Sequence, residues 1–232
     1  GSGTIAENMA RTLQGAGLAQ CKKISRHQLL VHEDIPYTSG NSAMCFSALS
    51  HLENLDELIH IAQKFLREES ADGADPGLCV AVNDARLDKD ALIAFGRTAK
   101  KTIVKKQTAY DLAGNLSIHL SEHGGTGGGV IGALAAIGLR LCGSDGRFRG
   151  WHRIGSCGDI ATAADLCAYP FIEAVVTPDG HRLADNTPII FAEDPIKTVL
   201  MRGLQVVPVI PIAGNDPSLQ WSTLNKRQIK QF

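Results

Sequence analysis

The sequence predicts an α+β protein, with a ferredoxin-like or split βαβ core followed by a smaller α+β unit. Short apolar runs alternate with amphipathic stretches in the order strand, strand, helix, strand, helix. A glycine-rich run at 123–129 then leads into an alanine-rich stretch at 130–139, which carries no charge before Arg140 and is typical of a buried helix. The 232 residues, 44% of them apolar and 20% charged, suffice for one large domain or two small ones.

The composition excludes several classes of protein. The 23 basic and 24 acidic residues nearly cancel, which argues against a large basic face for nucleic acid. No apolar run reaches the roughly 18 residues of a membrane span. The six cysteines are spread widely without a Cys-x-x-Cys pair, so we expect reduced thiols in a cytoplasmic protein rather than structural zinc. The sequence leaves the oligomeric state open, a homo-oligomer included.

The first half of the chain begins with an amphipathic helix, because Ile5, Met9 and Leu13 share one helical face. Thr4 stands three residues before Glu7, which is the capping-box pattern of a helix start. The same kind of periodicity predicts the elements that follow. They are strands at 26–32 and 41–48, a helix at 54–69, a strand at 78–83, and a helix at 88–101 with Asp88 as its N-cap.

After the buried helix, the pattern becomes shorter and more broken. We expect a boundary after residue 145, so that residues 1–145 form the core and 146–232 the smaller unit. The second unit is predicted to contain strands at 147–153, 171–176, 188–191 and 206–212, and helices at 159–168 and 196–202. The polar tail from Asn215 is predicted to be solvated, with a role as a partner arm left open.

The glycine run is the strongest candidate for a binding site. Glycines leave backbone N–H groups uncovered, and a helix that starts directly afterwards adds unpaired N–H groups and the positive end of its dipole. Such a site binds anions, most often phosphate. We therefore expect phosphate-binding residues at His123, Gly124, Gly125, Thr126, Gly127, Gly128 and Gly129. The alternatives are a plain loop before a tightly packed helix and, for His123, a solvated side chain.

Two further interpretations concern nucleotide loops. Gly127, Gly129 and Gly132 match the dinucleotide spacing, with 116–120 as the candidate strand, but no acidic residue stands about 20 residues on at the end of a second strand. A Gly-Lys-Ser/Thr sequence is absent, which excludes the ordinary P-loop.

A second candidate phosphate loop stands at the first helix and consists of Gly1, Ser2, Gly3 and Thr4, although a tag remnant before a capped helix explains these residues equally well.

Several segments resemble, in the same order, the archaeal agmatinylcytidine synthetase family, TiaS, which modifies an isoleucine tRNA. The segment 129–138, Gly-Val-Ile-Gly-Ala-Leu-Ala-Ala-Ile-Gly, is similar to the helix after that family's glycine-rich loop almost residue for residue. The segment 35–41 resembles its loop before the second strand, with Ser39 where the family has a charged arginine. The segment 75–77 is similar to an Asn-Pro-Gly turn, and Gly3-Thr4 to the end of the N-terminal motif. The resemblance spans residues 1 to about 153.

In that family, ATP is split to activate a cytidine carbonyl, and agmatine displaces the activated oxygen. The resemblance implies ATP and Mg²⁺ as cofactors, with Thr4 as phosphoryl acceptor or Mg²⁺ ligand. It places Ser39, Gly40 and Asn41 at the nucleotide, with Asn41 donating hydrogen bonds. Asp75 would contact the metal or an amine substrate, although an acid in an Asp-Pro-Gly turn is more commonly structural. The family's metal-binding aspartates precede its threonine, so the metal ligands stay unknown here.

The leading hypothesis is an ATP-dependent phosphoryl- or adenylyl-transfer enzyme, kinase-like or ligase-like, acting on an unidentified substrate, a small molecule included. The first alternative is a non-catalytic nucleotide-binding or scaffold module derived from the same core. The second is an RNA-binding or tRNA-modifying protein. Because the family's OB-fold and zinc ribbon show no counterpart and the net charge is near zero, we expect tRNA binding to be weak and salt-sensitive.

Overall fold

The computed structural model describes residues 1–35, 40–212 and 220–232, and the chain divides into two compact units, Gly1–Cys142 and Gly143–Phe232. Helices and strands occur in both units, which confirms the α+β class. Within the described ranges, no helix is long and apolar enough to cross a membrane. All six cysteines are free thiols.

The described part of the first unit contains five α-helices. They are α1 (Ser2–Gly15), α2 (Leu55–Glu69), α3 (Lys89–Ala99), α4 (Lys106–Asn115) and α5 (Gly129–Leu141). Helix α2 buries Leu58, Ala62 and Leu66 on one stripe, as its periodicity predicts. The predicted N-cap of α3 is confirmed, because the Asp88 side chain accepts a hydrogen bond from the Ala91 N–H at 2.9 Å.

The strands of the first unit are short, and all of the pairs described within it are antiparallel. Strand β1 (Gln20–Cys21) pairs with β4 (Ala48–Leu49), β2 (Ser25–Gln28) with β3 (Ser42–Cys45), and β5 (Gly77–Val80) with β6 (His119–Glu122). The described strands of this unit therefore do not pair with one another into the single sheet of a ferredoxin-like core.

Helix α5 is the centre of the first unit, and it packs against α3, α4, β3, β5 and β6. Val130, Leu134 and Leu139 are buried in the main core, which confirms the prediction of a buried helix. Two glycines allow α3 and α5 to approach closely. A Cβ on Gly138 would overlap the backbone carbonyl of Leu92, and a Cβ on Gly96 would lie 2.8 Å from the carbonyl oxygen of Ala135.

The described part of the second unit consists mainly of strands. These are β7 (Arg147–Phe148), β8 (Ile160–Thr162), β9 (Ala174–Val176), β10 (Pro188–Ile190), β11 (Val199–Met201), β12 (Leu204–Pro211) and β13 (Trp221–Thr223), with one short helix, α6 (Ala163–Cys167). They pair in the order β7-β11-β12-β13-β10-β8, with β9 also beside β12. The pairs β9–β12 and β10–β13 are parallel, and the other pairs are antiparallel.

Two predictions for the second unit are wrong. The segment 196–202, predicted as a helix, contains β11, where Thr198, Val199 and Leu200 are all buried. A short apolar run that is buried on both faces has no period to separate strand from helix. The tail is not solvated throughout its described part, because Trp221–Thr223 forms a strand and Leu224 and Ile229 are buried.

Other elements also differ from the sequence prediction. The predicted helix at 159–168 is reduced to α6, because β8 takes up its first residues. Helix α4 has no counterpart among the predicted elements. Helix α1 begins at Ser2 with Gly1 as its N-cap and no side-chain capping bond, so Thr4 lies inside the first turn and the capping-box prediction is wrong. A residue within the first helical turn cannot also be the cap.

Candidate functional site

The glycine loop joins β6 to α5 and lies against the start of β5. Residues Gly77 and Glu122 are paired across β5 and β6, so the residues before Gly77 face those after Glu122. The His123 N–H continues this pairing by donating to the carbonyl oxygen of Pro76 at 2.9 Å. The antiparallel register therefore brings Asp75 to the loop, although 51 residues separate Asp75 from Thr126.

Asp75 binds the loop through one carboxylate oxygen. Its Oδ2 accepts hydrogen bonds from the Thr126 N–H at 3.2 Å, the Thr126 hydroxyl at 2.5 Å and the Gly128 N–H at 3.0 Å. Gly128 is the N-cap of α5, so the carboxylate lies at the positive end of the helix dipole. The anion expected at this helix start is therefore present as a side chain of the chain itself.

The other carboxylate oxygen of Asp75 is unsatisfied. Oδ1 is buried and has no hydrogen-bond partner among the described residues. A buried carboxylate oxygen without a donor is costly, and a cation or a donor group of a ligand would remove that cost. Mg²⁺ prefers oxygen ligands and is commonly held by one or two carboxylates together with substrate phosphates. Asp75 Oδ1 therefore fits an Mg²⁺ ion, although no group of three or more candidate ligands occurs in the described ranges.

Glycine is required at several positions of the loop, Gly125 and Gly127 among them. Gly125 has φ +60°, and a Cβ there would lie 2.8 Å from the Asp75 Cβ. Gly127 has φ +76°, and a Cβ there would overlap the carboxylate of Glu122. Both positive φ angles are unfavourable for other residues. Gly128 differs, because its φ is −66° and a Cβ would lie 3.2 Å from the Thr126 hydroxyl.

Glu122, Lys106 and Tyr110 form a polar cluster above the loop, here called the Glu122 cluster. The Lys106 ammonium lies 3.1 Å from Glu122 Oε1 and donates to the Thr126 carbonyl oxygen at 3.1 Å. The Tyr110 hydroxyl donates to Glu122 Oε1 at 2.7 Å. The hydrogen bonds from Tyr110 and Lys106 lower the pKa of Glu122. Desolvation, with the adjacent carboxylate, raises the pKa of Tyr110 to about 12, so the phenol stays protonated and a donor.

A row of polar side chains, here called the histidine row, consists of His119 and Ser121 on β6 and of His123 directly after it. The Ser121 hydroxyl lies 2.9 Å from His119 Nε2 and 2.8 Å from His123 Nε2. The Gln63 amide nitrogen on α2 lies 3.2 Å from His119 Nε2. Burial lowers the pKa of His119, and burial together with the charge of Arg67 lowers the pKa of His123. His123 is therefore not simply a solvated side chain beside a loop.

The remaining predicted residues lie in other parts of the first unit. Gly1, Ser2, Gly3 and Thr4 form the start of α1, where Thr4 is exposed and its N–H donates to the Gly1 carbonyl at 2.9 Å. Asn41 stabilises the β2–β3 hairpin, because its side-chain amide donates to the Leu30 carbonyl at 2.8 Å. Gly40 precedes it with φ +143°. Ser39, with the rest of 36–39, lies outside the described residues.

Several residues of the site are missed by sequence reasoning. Lys106, Tyr110 and Glu122 meet only because α4 and β6 lie side by side, and α4 itself is not predicted. The histidine row has a readable signal. His119, Ser121 and His123 alternate along a strand, and the period of two places them on one face.

No protein-family model and no curated protein matches this chain. Solved structures are similar to this chain, among them the following three. A tRNA fluorescent labeling enzyme is 20% identical over 73% of this chain and 41% of its own, with a TM-score of 0.50. Apo TiaS, a tRNA agmatidine synthetase, is 18% identical over 78% of this chain and 44% of its own, also at 0.50. A complex of TiaS with its tRNA and ATP is 18% identical over 80% of this chain and 46% of its own, at 0.49.

This chain therefore spans less than half the length of the first two structures. At such identities the likeness concerns the fold. It supports a TiaS-like α+β fold for the matched part of the chain.

Proposed function

We propose that this chain is an ATP-dependent phosphoryl- or adenylyl-transfer enzyme, kinase-like or ligase-like, related to TiaS and acting on an unidentified substrate. The ordered sequence resemblance and the TiaS-like fold both support this assignment. The observation that carries it is the unsatisfied Asp75 Oδ1, which is buried beside a glycine loop at the start of a central helix. A carboxylate oxygen in that position suits a metal ion that accompanies phosphates.

In this proposal Asp75 has two roles, one for each oxygen. Oδ2 fixes the loop through Thr126 and Gly128, and Oδ1 would hold Mg²⁺. The charge of the metal would offset the repulsion between the phosphates and the Asp75 carboxylate, so that both anions could lie at the same site. The phosphates of ATP would lie near Gly124–Gly129, with the Lys106 ammonium as a further positive charge. Thr4 as phosphoryl acceptor and Ser39, Gly40 and Asn41 at the nucleotide remain proposals from the resemblance.

One observation favours a non-catalytic module instead. The N–H groups of Thr126 and Gly128 are already bound to Asp75, so a phosphate cannot use them while the carboxylate stays in place. Without a metal, the contact between Asp75 and the loop would only cap the start of helix α5. In that case nucleotide would bind elsewhere or not at all, and the chain would be a scaffold derived from the same core.

Isothermal titration calorimetry with ATP, in the presence and absence of Mg²⁺, separates these functions. The decisive variant is Asp75→Asn. Its amide oxygen can still accept from Thr126 and Gly128, whereas its NH₂ group would replace the metal-binding oxygen. Asp72→Asn is the matched control, because Asp72 is exposed in the same loop. We expect Mg-ATP binding by the parent chain and Asp72→Asn, and at least tenfold weaker binding by Asp75→Asn.

Three outcomes are informative. If Asp75→Asn and the parent chain bind Mg-ATP with equal affinity, Asp75 does not bind the metal. Absence of heat with ATP, ADP and AMP would favour the scaffold function. A parallel titration with tRNA tests the third function, since both structures with a TM-score of 0.50 are tRNA enzymes by name. Tight, sequence-selective tRNA binding at physiological salt would overturn the expectation of weak binding.

A further inference from the structure

The histidine row faces helix α2 and lies on the opposite side of β6 from the Glu122 cluster, because alternate residues of a strand point to opposite faces. The Gln63 amide nitrogen on α2 lies 3.2 Å from His119 Nε2 and 3.5 Å from Ser121 Oγ. The Ser121 oxygen in turn lies 2.9 Å from His119 Nε2 and 2.8 Å from His123 Nε2. Gln63 and the three residues of the row are all half-buried. They form a second polar cluster of the first unit, apart from Asp75 and its contacts.

Arg67 brings a third basic group to this cluster. It follows Gln63 by four residues on α2, so the two side chains are neighbours on one face of the helix. Burial is the largest cause that lowers the pKa of His123, and the charges of Arg67 and His119 lower it further. Arg67 therefore lies toward the His123 end of the row, whereas Gln63 contacts the His119 end.

The charges that act on the row are all basic. Strand β5 contributes the apolar Leu78 and Val80 opposite the row. On α2, the Lys64 ammonium lies 3.9 Å from the Glu68 carboxylate, so these two charges largely offset one another. Within the described ranges, no carboxylate is among the groups that shift the pKa of either histidine. Basic groups that converge without an acid repel one another when charged, and a bound anion would remove that repulsion.

We propose that Gln63, Arg67 and the histidine row form a binding site for an oxyanion of the phosphate class, either the free anion or the phosphate group of a small ester. Arg67 supplies a permanent positive charge and a planar set of N–H donors. The Gln63 amide and the Ser121 hydroxyl are neutral donors, and a histidine that takes up a proton donates from both ring nitrogens. No single tautomer of the row is required, because the anion itself favours the protonated rings. The site goes beyond the proposed function and does not depend on Asp75.

Sulfate is the first probe, because its charge stays constant over the range in which histidine titrates. The histidine ring signals of the full chain, followed by NMR, report its binding directly. We expect sulfate to raise the pKa of both His119 and His123. Its affinity should fall at least about tenfold between about pH 6 and pH 8, as the rings lose their protons. Arg67→Met should abolish the response, whereas Lys64→Met, which removes the same charge from a residue beside Glu68, should retain it.

Two results would contradict the site. One is a parent chain whose histidine pKa values do not change with sulfate, and the other is an equal loss of affinity in Arg67→Met and Lys64→Met, which would reflect net charge alone. Because Arg67 is exposed, its replacement should leave the fold intact. Ser121→Ala removes a donor without changing the charge and should also weaken sulfate binding.

Two further titrations identify the source of the anion. Phenyl phosphate that binds more tightly than inorganic phosphate indicates an ester as ligand, and equal affinities indicate the free anion. Asp75→Asn should leave sulfate binding unchanged while it weakens Mg-ATP binding, so this site and the proposed metal site fail separately.

Discussion

Two neighbouring glycines of the loop should respond differently to the same added methyl group. Gly127→Ala places alanine at φ +76° and drives its Cβ into the carboxylate of Glu122 and to 2.7 Å from Lys106 Nζ. The positive φ alone costs about 1–2 kcal/mol. For a chain of 232 residues this lowers Tm by roughly 2–8 °C, and moving the Glu122 carboxylate adds to it.

Gly128→Ala should instead affect binding more than folding. Its φ of −66° suits alanine, and the new Cβ lies 3.2 Å from the Thr126 hydroxyl and 3.4 Å from Asp75 Oδ2. Alanine gains about 0.4–1 kcal/mol from the stiffer unfolded chain and loses a similar amount as a poorer N-cap. The methyl group adds bulk to the loop where the phosphates are proposed to lie, so we expect Mg-ATP affinity to fall at least about tenfold, or ~1.4 kcal/mol.

Thermal melts and calorimetry on the same preparations test both effects. The expected result is a destabilised Gly127→Ala and a Gly128→Ala that keeps its melting temperature but binds poorly. If Gly128→Ala were well folded and bound Mg-ATP as the parent chain does, the loop would not belong to the site. If Gly127→Ala melted unchanged, the described contact with Glu122 would be incorrect.

Three other perturbations follow from the described contacts. Gly138→Ala, which meets backbone, should lower the free energy of unfolding in urea by about 2–3 kcal/mol, whereas Gly114→Ala, with open space in α4, should raise it by about 0.5–1 kcal/mol. Iodoacetamide should modify exposed Cys157 first and spare Cys45, whose pKa burial raises to about 11. Because its pKa is lowered in the folded state, ionised Glu122 stabilises the fold above its ordinary pKa of 4.5, and this stabilisation is lost as pH falls through the lowered pKa. Glu122→Gln should therefore make the free energy of unfolding depend less on pH in the acid range. An unchanged acid dependence would contradict the Glu122 cluster.

The elements predicted well are those with a strong local signal. Helix α2 has a clear apolar stripe, α3 has Asp88 as a cap, and α5 is apolar almost throughout. Helix α4 has little amphipathic character, since only Ala109 and Ala113 are buried, and it lacks a side-chain cap. Its burial comes from packing against α5, which no local pattern reveals.

The residues of the site fall into the same two groups, those with a local sequence signal and those brought together by tertiary packing. The glycine loop can be identified from residue type and spacing, because glycine runs before helices have a local cause. Asp75 is reached only through the family resemblance, since an acid in an Asp-Pro-Gly turn is more commonly structural. The pairing of Asp75 Oδ2 with Gly128 depends on the register of β5 against β6, and Glu122 meets Lys106 across 16 residues of sequence. Such contacts are set by tertiary packing. The hydrogen bond between His123 and Ser121 is missed when His123 is considered without the alternating residues that precede it.

The reciprocal glycines of α3 and α5 also bear on how the site can move. Gly96 faces the backbone of α5 and Gly138 faces the backbone of α3, so a slide of one helix along the other would bring side chains against carbonyl groups. The two helices therefore behave as one block, and their amides should be among the slowest in the unit to exchange with deuterium. The glycine loop begins this block and shares its rigidity through Asp75. A ligand bound at the glycine loop would therefore contact a rigid surface on the side of α3 and α5. Any conformational change on binding would have to occur in the segments on the other sides of the ligand.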